Sequence, residues 1–526
     1  MALPLRSAGG VQLPGLPTLL FAAGTVLLLL WNIVYAGRIA QLRRAPRPLT
    51  ALSALCGFLV APALVARLAS ATVLGGDAVA AVAWLWPVAA LLFVAQAAYA
   101  TLMRYVTPLV GVPLLAYNAL LLGVALAQWM LRVGWPVPTL LVALTAAEAT
   151  ILGTLVGRAA LVVPFIVPVP IIVPAYPARR RATRVGRAAL AVAAAFVAGV
   201  TLLELPRGIG AVNSYQPYSQ ERLSERPAGD FSIGAKILPT LAGLPPAPAV
   251  RDAVPLTDTL DLDAVSITVR PKALSLTSLD SLSKLLEPLR RDSTRIVVTI
   301  GFDDDDLAAL QSGDAGFLRR RMNAVDRVAR ALRPDILLPG EAPYGADADV
   351  LGTRPVSFWQ SYFTAAATSA HAVNRRIRVA VAASRYDTND STLYAWAASS
   401  GSPVDAVGFL VRPSFNGGPG VDARLRAADR WMRIASTGPD APRRAKPHWV
   451  FDVRAFPMTH GEASQDRTVW HTLAWATAHP QVVGVIVGEP DDYLMMNGLL
   501  SASGRFRPVI GTMNRAARGL REAVTQ

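Results

Sequence analysis

The first part of the chain consists of long apolar runs separated by short breaks that carry Arg, Gly or Pro. A run of about 20 apolar residues forms a helix long enough to cross the hydrocarbon core of a bilayer. The pattern therefore predicts an α-helical membrane domain of about six spans over residues 1–205. The runs lie at about 16–36, 50–73, 79–101, 105–131, 137–156 and 188–205.

One further apolar segment, 159–178, contains five prolines. Proline inside a helix removes a backbone donor and breaks the helix. Within lipid, the backbone groups freed in this way would find no hydrogen-bond partner. We therefore predict that this segment lies at the membrane interface or is covered by protein, and that it does not cross the bilayer.

The pattern changes after a linker at 206–230, which is rich in turn-forming residues and lacks periodicity. From there to the end, over 231–526, short β-rich runs alternate with amphipathic helical stretches. Eight such repeats predict a (β/α)8 barrel. An open doubly wound sheet is the alternative, but no GxGxxG sequence follows the first strand. The predicted strands begin at 231, 264, 295, 335, 376, 405, 446 and 482.

The charge distribution separates the two halves. The chain has a net charge of +15, and +12 of it lies within residues 1–210, where 15 arginines accompany three acidic residues. These arginines stand between apolar runs, as expected for cytoplasmic loops of a membrane protein rather than for a nucleic-acid-binding surface. We therefore predict an integral membrane protein whose partners include the lipid bilayer but not nucleic acid.

Two arginine-rich loops predict the orientation. Arginines cluster at 38–47 and again at 179–187, which places both loops in the cytoplasm. Four spans separate these loops, an even number, as the assignment requires. The last span then leaves the cytoplasm, so the N-terminus and the whole C-terminal domain are predicted to lie outside it.

Charged residues also occur within the predicted spans, at Arg67 and Glu148. Ionisable groups inside a membrane are often functional. A position near a helix end or against a neighbouring helix explains them equally well, and the sequence leaves both explanations open.

Cysteine and histidine give no sign of a structural metal. The single cysteine, Cys56, excludes an intramolecular disulfide. The five histidines form no ligand-spaced cluster. We expect neither a metal site nor a cofactor.

Candidate chemistry lies at the ends of the predicted strands, because the carboxyl ends of all strands in a (β/α)8 barrel meet at one mouth. Carboxylates accept hydrogen bonds from sugar hydroxyls, and aromatic faces stack on sugar rings. The residues at these ends are Asp303 after strand three, Glu341 after strand four, Tyr386 and Asp387 after strand five, Arg412 and Asn416 after strand six, Trp449, Asp452 and Arg454 on strand seven, and Glu489 after strand eight.

The motifs around these residues resemble a known superfamily. DILLPGEAPY from Asp335 and HWVFDVRAFP from His448 are similar to strands four and seven of the (β/α)8 glycoside hydrolases whose acid/base Glu ends strand four and whose nucleophile Glu ends strand seven. The final NGLLSASGRFRPV is similar to the stretch that follows strand eight in these enzymes. The resemblance implies that Glu341 is the acid/base and that Asp452 stands at the nucleophile position.

Strand eight offers another carboxylate, Glu489, which is the alternative partner of Glu341. Glycoside hydrolysis needs two carboxylates, one to protonate the leaving oxygen and one to act as nucleophile or base. The remaining members of the ring are then predicted to bind substrate. They are Asp303, Tyr386, Asp387, Arg412, Asn416, Trp449 and Arg454.

Each carboxylate also has a purely structural interpretation. Glu341 can be a salt-bridged loop residue, and Asp452 can pair with Arg412 or Arg454. The acidic run that starts at Asp303 suits a helix N-terminus, where carboxylates complement the helix dipole.

Three functional hypotheses follow. The first is a membrane-anchored glycoside hydrolase that acts on a cell-envelope or exported polysaccharide outside the cytoplasm. The second is a carbohydrate-binding barrel without catalysis, coupled to a membrane assembly or transporter and its subunits. It is motivated by Gly340 where the family has Asn and by Asp452 where it has Glu. The third places the function in the membrane half, as a transporter or lipid-linked sugar handler, because six spans exceed the needs of an anchor.

Overall fold

The computed structural model of the protein describes two connected parts, a bundle of apolar helices and a barrel. The residues that it describes are 16–42, 45–69, 81–156, 168–175, 181–227, 229–237, 256–257, 259–260, 262–291, 294–412, 420–437, 445–488, 498–501 and 504–522.

Six apolar helices occupy the positions of the six predicted runs. By length and composition five of them can cross a membrane, whereas the apolar part of the fifth helix, Thr139–Leu152, is shorter. The described residues therefore contain five candidate spans where the sequence predicted about six, and the sixth run forms a helix with a shorter apolar stretch. The helices are α1 (Leu16–Ala40), α2 (Arg47–Ala69), α3 (Leu85–Leu102), α4 (Pro108–Val133), α5 (Thr139–Val156) and α6 (Arg181–Asn213).

The described part of the proline-rich segment, residues 168–175, is an extended chain without regular secondary structure, and it is almost entirely buried among α1, α3 and α4. Three carboxamide side chains of these helices supply the hydrogen bonds that a helix would otherwise make. This arrangement meets the rule that irregular backbone inside a helical membrane domain must be satisfied by protein. The bonds, of 2.7–3.0 Å, join Asn32 to Ile172 N–H and Pro170 C=O, Gln96 to both backbone groups of Val173, and Asn118 to both groups of Ile171.

The C-terminal half forms a closed barrel of eight parallel strands in the order of the sequence, and the first strand pairs with the last. This closure confirms the predicted (β/α)8 barrel and excludes the open sheet. Each predicted run contains one strand, because each is a short buried apolar stretch bounded by turn residues. The strands are β1 (Ser232–Lys236), β2 (Ala264–Val269), β3 (Arg295–Ile300), β4 (Ile336–Leu338), β5 (Arg378–Ala383), β6 (Ala406–Val411), β7 (His448–Val453) and β8 (Val482–Val487).

Amphipathic helices surround the strands, and their apolar faces pack on the outside of the sheet. In the first of them Leu279, Leu282 and Leu286 are buried, at the three- and four-residue spacing of one helix face. The helices are α7 (Leu276–Arg291), α8 (Asp304–Ser312), α9 (Asp314–Leu332), α10 (Ala346–Leu351), α11 (Val356–Val373), α12 (Thr388–Ala398), α13 (Gly420–Thr437), α14 (Pro457–His460), α15 (Glu462–Thr477) and α16 (Pro508–Glu522).

Small and large side chains alternate in the barrel interior. Trp449 on β7 is fully buried and stacks with Phe451, with ring centroids 6.0 Å apart. Glycine at 484 on β8 makes room for the Trp449 ring, because a Cβ at this position would overlap the ring atoms. The indole therefore fills the interior of the barrel.

We expect Gly484→Ala to destabilise the barrel by about 1–3 kcal/mol, the usual effect of overpacking a filled core. Chemical unfolding of the full-length protein in detergent measures the change. Gly519→Ala is the matched control, since nothing lies within 4 Å of its added Cβ on α16. There the same methyl group should stabilise the helix by about 0.5–1 kcal/mol. Equal effects of the two substitutions would contradict this account of the interior.

The connection between the two parts differs from the predicted linker. Helix α6 passes through Pro206 and ends at Asn213, inside the segment assigned to the linker. A short 3-10 helix, Gln216–Gln220, follows. Beyond it the chain runs along α15, where Glu221 bonds to His471 (2.6 Å). The connection is thus helical at its start and packed against the barrel afterwards.

The barrel contacts the helical domain through segments that follow β7 and β8. The hydroxyl of Thr145 on α5 donates to the C=O of Thr459 on α14 (2.6 Å). The guanidinium of Arg505 donates to the C=O of Leu131 near the end of α4 (3.2 Å). Because these segments leave the carboxyl ends of the strands, the β7–β8 side of the barrel mouth lies against one end of the helical domain.

Candidate functional site

Glu341 lies just beyond the end of β4, in a loop whose backbone is fixed by a hydrogen bond to Asp347. The loop turns at Gly340, where a Cβ would lie 2.7 Å from Asp347 Oδ2 and 3.2 Å from the Phe302 ring. Asp347 on α10 accepts a hydrogen bond from the N–H of Ala342 (2.9 Å). A larger residue does not fit at position 340 because the Asp347 carboxylate occupies the space, which explains the glycine where the resembled enzymes have asparagine.

Arg412, just after β6, joins Glu341 to Asp452. Its Nη2 donates to Glu341 Oε1 (2.5 Å) and also to Asp452 Oδ2. Its Nε donates to the same Asp452 oxygen at 2.8 Å. The two carboxylates predicted as a pair therefore meet at one guanidinium nitrogen.

Two further cations complete this group. Arg454 donates from Nε to Asp452 Oδ2 (2.7 Å), and its Nη2 lies 3.9 Å from Glu341 Oε1. Lys236, the last residue of β1, places its Nζ 3.8 Å from the same glutamate oxygen. We call these five residues, Lys236, Glu341, Arg412, Asp452 and Arg454, the mouth cluster. With three cations and two carboxylates it carries one net positive charge.

The mouth cluster keeps both carboxylates ionised. Burial alone would raise the pKa of Glu341, but the charges of Arg412, Lys236 and Arg454 outweigh it and hold this pKa well below its usual range. Burial also raises the pKa of Asp452, but the charges of the same three cations outweigh burial, so this pKa too is lowered. At neutral pH the site therefore presents two carboxylates and no carboxylic acid at these positions.

The two oxygens of Asp452 have different surroundings. Oδ2 accepts all the arginine hydrogen bonds, whereas Oδ1 is buried and has no hydrogen-bond partner among the described residues. A Cβ at Gly488, just after β8, would collide with Oδ1. The glycine thus leaves room for Oδ1, which is buried beside it.

A second acidic group lies behind Glu341. Burial, together with the nearby charge of Glu341, raises the pKa of Asp347 to about 7. Asp347 contacts the backbone of the Glu341 loop, so it is a positioning residue for that loop.

The other predicted substrate-binding residues lie in different surroundings. Asp303 caps the N-terminus of α8 and pairs with Arg320 (3.0 Å), which agrees with its structural interpretation as a residue at a helix start. Asp387 caps α12 through the N–H of Asp390, on the surface of the barrel. Tyr386 stacks on Trp431 with ring centroids 5.5 Å apart. Among the described residues, none of these three forms a hydrogen bond or ion pair with the mouth cluster.

Three more predicted residues are placed as follows. Trp449 is fully buried and fills the barrel interior, so it presents no ring face at the mouth. Asn416 and Glu489 lie outside the described residues. Their roles in binding and catalysis stay predictions.

Sequence reasoning missed two residues of the site, Lys236 and Asp347. Lys236 is the charged residue that ends an otherwise apolar strand, and this position at a barrel mouth was the available signal. Asp347 follows Glu341 by six residues in a short Gly- and Asp-containing stretch, where nothing in the sequence distinguishes it from a surface residue. Among the described residues no group of His, Cys, Asp and Glu is arranged to hold a metal ion.

Comparison with solved structures finds glycoside hydrolases. A GH113 β-1,4-mannanase aligns with 55% of this chain and 99% of its own, at 9% identity and a TM-score of 0.38. A GH5_18 protein from Bifidobacterium longum subsp. longum aligns with 56% and 80% of the two chains, at 12% identity and a TM-score of 0.43. A GH5-4 broad-specificity endoglucanase from Clostridium longisporum aligns with 56% of this chain and 100% of its own, at 10% identity and a TM-score of 0.42.

No protein-family model and no curated protein sequence matches the chain. The fold of the barrel is established by the closed eight-stranded sheet itself.

Proposed function

We propose that the protein is a membrane-anchored glycoside hydrolase that cleaves a cell-envelope or exported polysaccharide at the mouth of its barrel. The observation that carries the proposal is the pairing of Glu341 and Asp452 at one nitrogen of Arg412. Two carboxylate oxygens that share one hydrogen-bonding nitrogen lie no more than about 6 Å apart. This upper limit lies below the roughly 6.5–9.5 Å of inverting glycosidases and admits the roughly 5–5.5 Å of retaining ones.

In this proposal Asp452 is the nucleophile. A nucleophilic carboxylate must be ionised, and the two arginines keep the pKa of Asp452 low. Because Oδ1 is buried beside Gly488, Oδ2 is the oxygen that attacks the anomeric carbon, once the bound saccharide has displaced Arg412 from it. Water then releases the glycosyl group, so the anomeric carbon gains a hydroxyl and Asp452 is restored.

Glu341 is the acid/base. It must deliver a proton to the leaving oxygen and later remove one from water. Because Arg412 and the other cations lower the pKa of Glu341, donation requires that the bound saccharide displaces the arginine from the glutamate. Arg412 is one-quarter exposed at its side chain, so a saccharide can contact it directly.

The proposed location is outside the cytoplasm. The barrel contacts the N-terminal end of α5 and the C-terminal end of α4. Arg181, Arg184 and Arg187 lie in the first two turns of α6, at the opposite end of this helix from its connection to the barrel. If that end of α6 is cytoplasmic, as the positive-inside rule implies, the barrel stands on the other side of the membrane.

The test is an assay of the purified full-length protein in detergent against a panel of β-linked oligosaccharides, across a range of pH. Release of new reducing ends supports the hydrolase. Retention of anomeric configuration, followed by NMR during the reaction, supports the close carboxylate pair. Binding without cleavage at every pH overturns the hydrolase, and absence of both binding and cleavage overturns a saccharide function altogether.

The second candidate is the carbohydrate-binding barrel without catalysis. A specific observation favours it, namely that Glu341 is fixed against Arg412 in its ionised form. Such a cluster offers carboxylate acceptors and guanidinium donors to sugar hydroxyls without a proton to donate.

The pH dependence of Arg412→Gln follows from the sign of the pKa shift. Hydrolysis needs protonated Glu341, so the rate falls as the pH rises through the pKa of this group. Removing the nearest positive charge raises that pKa, and we expect the alkaline limb of the pH–rate profile to move to higher pH. Arg330→Gln is the control, because Arg330 pairs on the protein surface with Asp326. An unmoved alkaline limb in Arg412→Gln would contradict the role of Glu341.

A further inference from the structure

The segment that follows β7 is buried although it leaves the mouth of the barrel. Residues 452–460 are all buried except Phe456, whereas loops at such positions normally face solvent. The segment contains α14, which packs against α5 and α4 of the helical domain. The end of the strand that carries Asp452 is therefore covered by helices of the other domain.

A threonine hydroxyl of α5 holds this segment. Thr145 Oγ1 lies 2.6 Å from the C=O of Thr459 on α14 and 2.7 Å from the C=O of Val142 in its own helix, so the two carbonyls share its hydrogen. Gly461, which follows α14, has a φ of +87°, a conformation that glycine adopts without strain. A Cβ there would lie 3.6 Å from a methyl group of Val142. The turn from α14 into α15 therefore lies directly against α5.

Further connections reach the same part of the barrel. The chain that leaves α6 runs along α15, where the Tyr218 ring stacks on His471 with centroids 3.8 Å apart. Trp470 Nε1 on α15 donates to the C=O of Glu221 (2.9 Å). Arg505, between β8 and α16, donates to a backbone carbonyl of α4. The helical domain is thus attached to the part of the barrel that begins at the end of β7.

The mouth cluster crosses the boundary between this part of the barrel and the rest. Asp452 and Arg454 belong to the end of β7. The other three members lie at the ends of β1, β4 and β6. In the proposed reaction the anomeric carbon must be within reach of both Asp452 and Glu341, and a misplacement of about 1 Å can lower a rate by about 10²-fold. The position of the β7 end therefore decides how well the nucleophile and the acid/base face each other.

We propose that the helical domain positions the nucleophile, and that Thr145 is the positioning residue through which α5 does so. The inference rests on the proposed function and extends it, because it gives the helical domain a role in hydrolysis beyond anchoring. Thr145 acts through α14 rather than on the substrate. It fixes the C=O of Thr459, seven residues after Asp452, and so limits the movement of the β7 end.

The first experiment measures kcat and KM of the full-length protein in detergent. Thr145→Val replaces the hydroxyl by a methyl group of similar size, and we expect kcat to fall by about tenfold. KM should stay within about twofold, since the exposed face of Arg412 remains in place for the saccharide. Thr145→Ser keeps the hydroxyl and should restore kcat. Thr201→Val is the matched control, because the Thr201 hydroxyl bonds to a carbonyl of its own helix, α6 (2.8 Å).

The second experiment reads the position of the segment without using activity. Amide hydrogen exchange of peptides that cover residues 452–461 should be at least tenfold faster in Thr145→Val than in the wild type, Thr145→Ser or Thr201→Val. Exchange of β3, on another side of the barrel, should be the same in all four proteins. Faster exchange in β3 as well would indicate general loss of folding and would overturn a specific role of Thr145.

The outcome is separable from that of the proposed function. If the wild type cleaves saccharides and Thr145→Val has the same kcat, or changes only KM, the positioning role is overturned and the hydrolase stands. If Thr145→Ser loses as much kcat as Thr145→Val, the hydroxyl is not the link. If the wild type cleaves no saccharide, the hydrolase is overturned. Unchanged exchange at 452–461 in Thr145→Val then overturns the positioning role too, whereas faster exchange supports control of the Asp452 strand by α5.

Discussion

Glu341→Gln is expected to reduce hydrolysis by about 10²–10⁴-fold, the usual contribution of a general acid. Glutamine has the shape of glutamate and can still accept a hydrogen bond from Arg412, but it cannot deliver a proton to a leaving oxygen. Saccharide affinity should therefore change only a few-fold while turnover collapses. Reducing-end release and calorimetric binding, measured on the same full-length preparation, separate the two effects.

Asp326→Asn is the matched control for this experiment. It removes the same charge from the exposed part of α9, where Asp326 pairs with Arg330 one turn away. Turnover should equal that of the wild type. Unchanged turnover in Glu341→Gln would remove Glu341 from catalysis. Parallel loss of binding and turnover would favour the binding barrel, in which the carboxylate recognises the sugar.

Arg321→Met is expected to lower the free energy of unfolding by about 3–5 kcal/mol, because it breaks a buried ion pair from one side. Arg321 on α9 is fully buried and donates to Asp306 (3.1 Å). The same guanidinium bonds to three backbone carbonyls and to a tyrosine hydroxyl. These acceptors belong to Ile300, Gly301, Pro339 and Tyr362.

This arginine also supports the candidate site through two of its carbonyl partners. Ile300 is the last residue of β3, and Pro339 lies between β4 and Glu341. Chemical unfolding in detergent measures the stability, and saccharide affinity of the remaining folded protein measures the loop. Arg330→Met, on the exposed face of the same helix, should leave both unchanged. A stability near that of the wild type in Arg321→Met would show that water or neighbouring groups satisfy the vacated carbonyls.

The barrel was predictable because each of its elements carries a local signal. The run from Ile336 to Leu338 is apolar and stops at Pro339-Gly340, and it forms β4. The leucines of α7 repeat at helical spacing and are buried. Eight such units in succession leave few arrangements other than a closed barrel. The end of α6 was less predictable, since Pro206 at the end of an apolar run suggested a boundary that the helix crosses.

Part of the candidate site followed from the same logic. Strand ends share one mouth, so Glu341, Arg412 and Asp452 were expected to approach one another, and they do. The sharing of one arginine between both carboxylates depends on side-chain directions, which no spacing in the sequence encodes. Trp449 can be buried because Gly484, on the neighbouring strand and 35 residues later in the chain, leaves room for its ring.

Long-range pairing of polar side chains was least predictable. Asn32 bonds to backbone groups 138 and 140 residues later in the chain. In sequence it is only one polar residue within an apolar run. The proline-rich segment itself was expected to be covered by protein or to lie at the interface. The carboxamides that form hydrogen bonds with its backbone could not be identified from the residues around them in the sequence.

The buried extended segment at 168–175 has a consequence for biosynthesis. Its partners Asn32, Gln96 and Asn118 belong to helices that leave the ribosome well before it does. Until the segment arrives, these carboxamides must stay hydrated or be held by insertion factors, because unpaired amides are unfavourable in lipid. The helical domain is therefore completed only after residue 175 has been synthesised, but still before the barrel. If the helices of this domain span a membrane, a chain truncated before residue 168 would expose these three polar side chains to lipid.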